Sequence, residues 1–193
     1  MRVPLLAAAL SALLLGAVGC AARGPKASVG PSTSASLAAL LQPQAADAPV
    51  APVPADLQAR IRRQLEQHGL AATLVPEAEL LPAMQRQRSR PARLAWMAAR
   101  PGEHAVLVLV ETEATFYSQI EGRNRWTVTV RLSVAPTNAL NDVVVEEFEV
   151  PVFLQFLHEK EERALEEAGP LIERRLGPLL EQVMSGLRAP VSG

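Results

Sequence analysis

Between residues 105 and 153 the chain reads as three consecutive strands, 105–118, 124–134 and 143–153. The middle segment is the most regular. Trp126, Val128, Val130, Leu132 and Val134 occupy one set of positions, and Arg125, Thr127, Thr129, Arg131 and Ser133 the other. A period of two over this length is the pattern of a half-buried antiparallel strand. In the first segment, residues 105–110 are apolar without alternation, as in a strand covered on both faces. Glu121-Gly122-Arg123 reads as the hairpin connection between the first two strands. Pro151 places an edge at the third.

The period changes to that of a helix on both sides of this meander. Asp56 reads as an N-cap, Leu57, Ile61 and Leu65 follow it at helical spacing, and Gly69 supplies the stop. A short strand at 70–75, helical segments at 77–90 and 93–99, and a turn at Arg100-Pro101-Gly102 follow. From about residue 159 to 187, Leu165, Ala168, Ile172, Leu176, Leu179, Val183 and Leu187 step by three or four along one apolar stripe. Gly169-Pro170 and Gly177-Pro178 interrupt it, so kinks or two breaks are expected there. This order implies an α+β two-layer sandwich: a mainly antiparallel sheet of about four strands, with helices on one face.

The N-terminus differs in kind. Arg2 precedes an apolar run that ends in Ala17-Val18-Gly19-Cys20, which resembles the lipobox of bacterial lipoproteins, although that family favours leucine where this chain has Ala17. The resemblance implies a signal peptide over 1–19, acyl chains on Cys20 and, with Ala21 following, an outer-membrane address on the periplasmic side. Two or more chains give stable anchoring where one does not. The run is also long enough to span a bilayer as an uncleaved helix. Residues 20–55 are rich in Ala, Pro, Ser and Gly, with Leu37, Leu40 and Leu41 as their few large apolar side chains. That composition reads as a disordered tether. The folded domain is therefore expected over 56–188, with a tail at 189–193.

Charge and composition narrow the function. A net charge of −1 argues against a general nucleic-acid binder, and a single cysteine excludes an internal disulfide. Residues 56–101 carry eight Arg against four acids, whereas 102–188 carry eight basic residues against fifteen. The chain shows no nucleophile elbow, phosphate loop or dinucleotide fingerprint. His158-Glu159-Lys160-Glu161-Glu162 lacks the second histidine of a zinc-protease helix. Glu111, Glu113, Glu146, Glu147 and Glu149 read as a wet strand face. The expectation is a non-catalytic protein with no cofactor and no metal. Candidate anion contacts are Arg123 and Arg125 at the hairpin and the run Arg86, Arg88, Arg90 and Arg93, because guanidinium groups grip oxyanions bidentately.

The lipidated cysteine, amphipathic helix, three-strand meander and C-terminal helix together resemble the lipopolysaccharide-assembly lipoproteins that plug an outer-membrane translocon barrel. The resemblance covers 56–69, 106–152 and 161–183. It implies that Arg123, with Arg125 beside it, contacts lipopolysaccharide at the hairpin tip, and that the partner is an outer-membrane β-barrel. The segment 76–102 departs from that family. It is more similar to the lipoprotein activators of penicillin-binding proteins and the curli-secretion lipoprotein, which implies a peptidoglycan-synthase or secretion partner instead.

Overall fold

The structure is a computed structural model and describes residues 33–43, 48–155 and 161–188. The expected signal peptide with Cys20, residues 158–160 of the histidine-glutamate run and the tail at 189–193 lie outside these residues.

The described chain is α+β. Its elements are β1 (Thr33–Leu41), β2 (Ala51–Pro52), α1 (Ala55–Gln67), β3 (Leu70–Leu74), α2 (Glu77–Arg86), α3 (Arg90–Ala98), β4 (Val106–Ile120), β5 (Arg123–Pro136), β6 (Val144–Leu154) and α4 (Glu161–Arg188). The sheet is six-stranded, in the order β2-β1-β4-β5-β6, with β3 on the same edge of β1 as β2. β4, β5 and β6 form the expected antiparallel meander. β1 runs parallel to both β3 and β4, so the sheet is mixed and larger than the four strands expected.

β1 also corrects the tether. Residues 33–41 lie near the centre of the sheet, and Ala35, Leu37, Ala38 and Leu40 are fully buried. Ala35, Leu37, Ala39 and Leu41 pack towards α1 and α4, while Ala38 and Leu40 pack towards α2 and α3. A strand covered on both faces is apolar throughout, without alternation. Here that rule is met with alanine and leucine rather than β-branched residues, which is why the stretch resembles a linker.

Helices cover both faces, not one. On the first face, Leu57, Ile61 and Leu65 of α1 and Leu165, Ile172, Leu176 and Leu180 of α4 meet Val108, Val130, Leu132 and Val134. On the second, Leu80 and Met84 of α2 and Leu94 and Met97 of α3 meet Leu107 and Leu109. Asp56 lies in the first turn of α1 rather than at its cap, which is Pro54.

α4 is continuous through both Gly-Pro pairs, contrary to the expected breaks. Pro170 and Pro178 are exposed, so water can satisfy the carbonyls they leave unbonded, and the buried stripe keeps the helix whole. The glycines face α1. A Cβ on Gly177 would stand 2.7 Å from Gln64 Nε2, and one on Gly169 3.1 Å from Arg60 Cδ. They let the two helices approach closely, with Arg60–Glu173 (3.6 Å) and His68–Glu181 (3.7 Å) pairing alongside.

Candidate functional site

The second face of the sheet is only partly covered. α2 and α3 lie over the end of β4 that carries Leu107 and Leu109. Beyond them, alternation on β5 places Arg131, Thr129, Thr127 and Arg125 in a row towards the hairpin. Two groups of side chains stand at the two ends of that row. At about 3.3 Å per residue, Arg125 and Arg131 are roughly 20 Å apart along the strand.

The first group is the hairpin tip. Glu121 and Gly122 both take positive φ, 49° and 76°, so β4 reverses directly into β5 in a two-residue turn whose second position suits glycine. A register shift between Phe116 and Ser118 leaves Tyr117 as an extra residue on β4. The Arg125 guanidinium lies over the Tyr117 ring at 4.9 Å. Phe153 on β6 is directly opposite Arg125, and Ile120 opposite Arg123. Tyr117 (68% exposed), Phe153 (51%), Phe116 (46%) and Ile120 (44%) are four of the five exposed large hydrophobic side chains among the described residues. Arg123 is exposed, whereas Arg125 is half-buried with an Nε that finds no hydrogen-bond partner. Asn124 Oδ1 and Trp126 Nε1, next along the strand, are likewise buried without one. The structure thus keeps Arg123 and Arg125 together and adds an apolar collar that their positions alone do not announce.

The second group lies where α2, α3 and the sheet meet. A cleft of about 310 Å³ is lined by Arg88, Arg90, Arg93 and Arg131 with Glu111 and Glu113. Arg86, the remaining member of the arginine run, does not line it. Arg93 and Glu111 are both buried and form a tight ion pair. Arg93 also donates from Nε to the Gln87 carbonyl at 2.8 Å, so it ties the end of α2 to β4. Glu111 is therefore not part of a wet strand face, although Glu147 and Glu149 are exposed. Register sets Glu111 opposite Arg131 and Arg131 opposite Glu147, with Arg131 bidentate to Glu147 at 2.8 Å on both bonds. The charges alternate across three strands. Arg88 and Arg90 have no carboxylate partner among the described residues.

Sequence reasoning finds the arginine run at this cleft but not the burial of Glu111. The one available signal is Glu111 itself, which directly follows an apolar run that has no wet face. Among the described residues no cluster of His, Cys, Asp or Glu has the makings of a metal centre, and no helix is long and apolar enough to cross a membrane.

No protein-family model and no curated protein matches this sequence. The chain is similar to several solved structures. A PelC dodecamer from Paraburkholderia phytofirmans matches with a TM-score of 0.43 and 12% identity, over 77% of this chain and 88% of that one. A hypothetical protein from Chlamydia trachomatis matches with a TM-score of 0.41 and 15% identity, over 81% of this chain and 95% of that one. A lipoprotein from Neisseria meningitidis, GNA1162, matches with a TM-score of 0.40 and 10% identity, over 77% and 99% respectively. Likeness at this level says nothing of what the present chain binds.

Proposed function

We propose that the chain is a lipid-anchored accessory protein of the bacterial envelope. It carries its acyl chains on Cys20 at the periplasmic face of the outer membrane and has no catalytic role of its own. Its task in this reading is lipopolysaccharide assembly beside an outer-membrane β-barrel. The observation that carries it is the hairpin tip, where Tyr117, Phe153 and Ile120 surround Arg123 and Arg125. Exposed apolar side chains gathered at one place mark a surface that something covers. Guanidinium groups set among them suit an amphiphile with phosphate on its headgroup and acyl chains below. The lipobox-like Ala17-Val18-Gly19-Cys20 supplies the location that such a ligand requires.

The test is the affinity of the full chain for purified lipopolysaccharide in detergent, compared with Arg123→Glu/Arg125→Glu. Charge reversal is expected to weaken binding at least tenfold, and added salt to weaken the unaltered protein. Unchanged affinity in the double variant removes the lipopolysaccharide reading. A separate fractionation of Cys20→Ser cells tests the anchor: the protein should leave the outer membrane and, with its apolar run uncleaved, stay with the inner membrane. Recovery of that variant in the outer membrane would refute anchoring through Cys20.

A further inference from the structure

The arginine cleft is a different place from the hairpin tip, and its chemistry is more demanding than a basic patch requires. A simple anion site would surround its ligand with donors alone. This one has two carboxylate residues in its wall, Glu113 and the more deeply buried Glu111. Glu111 is 94% buried by its 6% exposure, and one oxygen, Oε1, is taken up by Arg93. The other, Oε2, is buried with no hydrogen-bond donor beside it. Arg90 Nε is the reverse case, a buried donor with no acceptor. Buried polar atoms are rarely left unpaired, because each forfeits the hydrogen bond it had with water. The residues that carry this orphaned donor and acceptor both line one opening of about 310 Å³.

Arg88 adds an exposed guanidinium with no carboxylate partner among the described residues. α3 adds its N-terminus: Ser89 is the cap, its Oγ accepting from the Ala92 N–H, and the first turn contains no acid. Arg88 and Arg90, which have no carboxylate partner among the described residues, line the cleft, and the N-terminus of α3 that carries Arg90 adds positive potential beside it. An oxyanion satisfies these groups, but by itself it would sit against the Glu111 carboxylate and be repelled. A ligand satisfies both sides only if it brings hydroxyl donors together with its anion.

We infer that the cleft between α3 and β4 binds an oxyanion carried on a hydroxylated carbon skeleton, as in a sugar phosphate or a sugar acid. Arg88 and Arg90 hold the oxyanion. Glu111 Oε2 accepts from a neighbouring hydroxyl, and the ion pair with Arg93 holds the carboxylate in place. The opening is near the small end of ligand pockets, in keeping with one sugar-sized group.

Ligand-observed NMR titrations of the full chain in detergent micelles test this, with glucose 6-phosphate and glucuronate as probes and glucose and inorganic phosphate as their parts. At least one anionic sugar should bind tenfold or more tightly than either glucose or phosphate. Preference between the two sugars tells whether phosphate or carboxylate is the better anion. Arg88→Ala/Arg90→Ala should lower that affinity at least tenfold. Both side chains are outside the core, so the amide spectrum should show the fold intact. No saturable binding of either sugar would overturn the inference. So would binding that survives in the double variant, or inorganic phosphate binding as tightly as glucose 6-phosphate.

Discussion

The two faces of the sheet do different work. The face under α1 and α4 is closed by leucine, isoleucine and valine as far as Ala114 and Val128, and its helices fit so closely that two positions of α4 are glycine. The face under α2 and α3 is closed over only one end of β4 and is then left open, with arginines, threonines and glutamates in rows. Residue chemistry follows this division from one position to the next on the same strand. Leu132 is fully buried, and its neighbour Arg131 reaches Glu147 in solvent. The contrast separates a face closed by packing from one whose core gives way to polar side chains open to solvent. The buried Arg93–Glu111 pair stands where the closed part of the second face gives way to the open part.

The largest break in this comparison is removal of what both faces share. Deleting residues 33–41 takes the strand that contributes to both cores, and the product is expected to show no cooperative thermal transition by circular dichroism. A cooperative transition near that of the intact chain would mean that β1 is dispensable. Next is Glu111→Ala, which leaves Arg93 as an uncompensated buried charge and should cost about 3–5 kcal/mol in urea unfolding. Replacing both partners with apolar residues (Arg93→Met with Glu111→Leu) should recover most of that loss. A double variant as unstable as the single would show that packing, not charge, holds this junction. On β5, Leu132→Ala should cost about 3 kcal/mol and Arg131→Ala less than about 1 kcal/mol, the first opening a cavity and the second breaking an exposed pair. Equal costs at these two neighbours would erase the distinction between the faces. Smallest of all, Tyr117→Ser with Phe153→Ser should change stability by no more than about 0.5 kcal/mol each, because both rings already stand in water. A lower unfolding midpoint by more than this would make the tip structural.

These particulars also show which parts of the fold a sequence exposes. β5 declares itself because one of its faces is wet, which forces strict alternation. β1 does not, because burial on both sides removes the alternation, and its alanines and serines have the composition of a tether. The Gly-Pro pairs of α4 mislead for a related reason. Local propensity breaks the helix, whereas the stripe from Leu165 to Val183 and the close approach of α1 keep it continuous. At the candidate sites, Arg123 and Arg125 are readable from the turn, and the arginines of the cleft from their run. The role of Glu111 depends on a crossing of α3 over β4 that no local pattern encodes.

The central place of β1 also has a consequence in time. It is the first described element to leave the ribosome, yet it is finished only by pairing with β4: Thr112 Oγ1 donates to the Leu40 carbonyl, 72 residues earlier in the chain. Until β4 has been made, Leu37, Leu40 and Leu41 have no partner strand on that edge. Parallel pairing over such a separation must close a long loop before any contact rewards it, so it is slow compared with the β4–β5 hairpin. The hairpin and α4 can form early and wait. β1 is therefore expected to be inserted late, and until it is, a nascent molecule presents an apolar strand open to wrong partners.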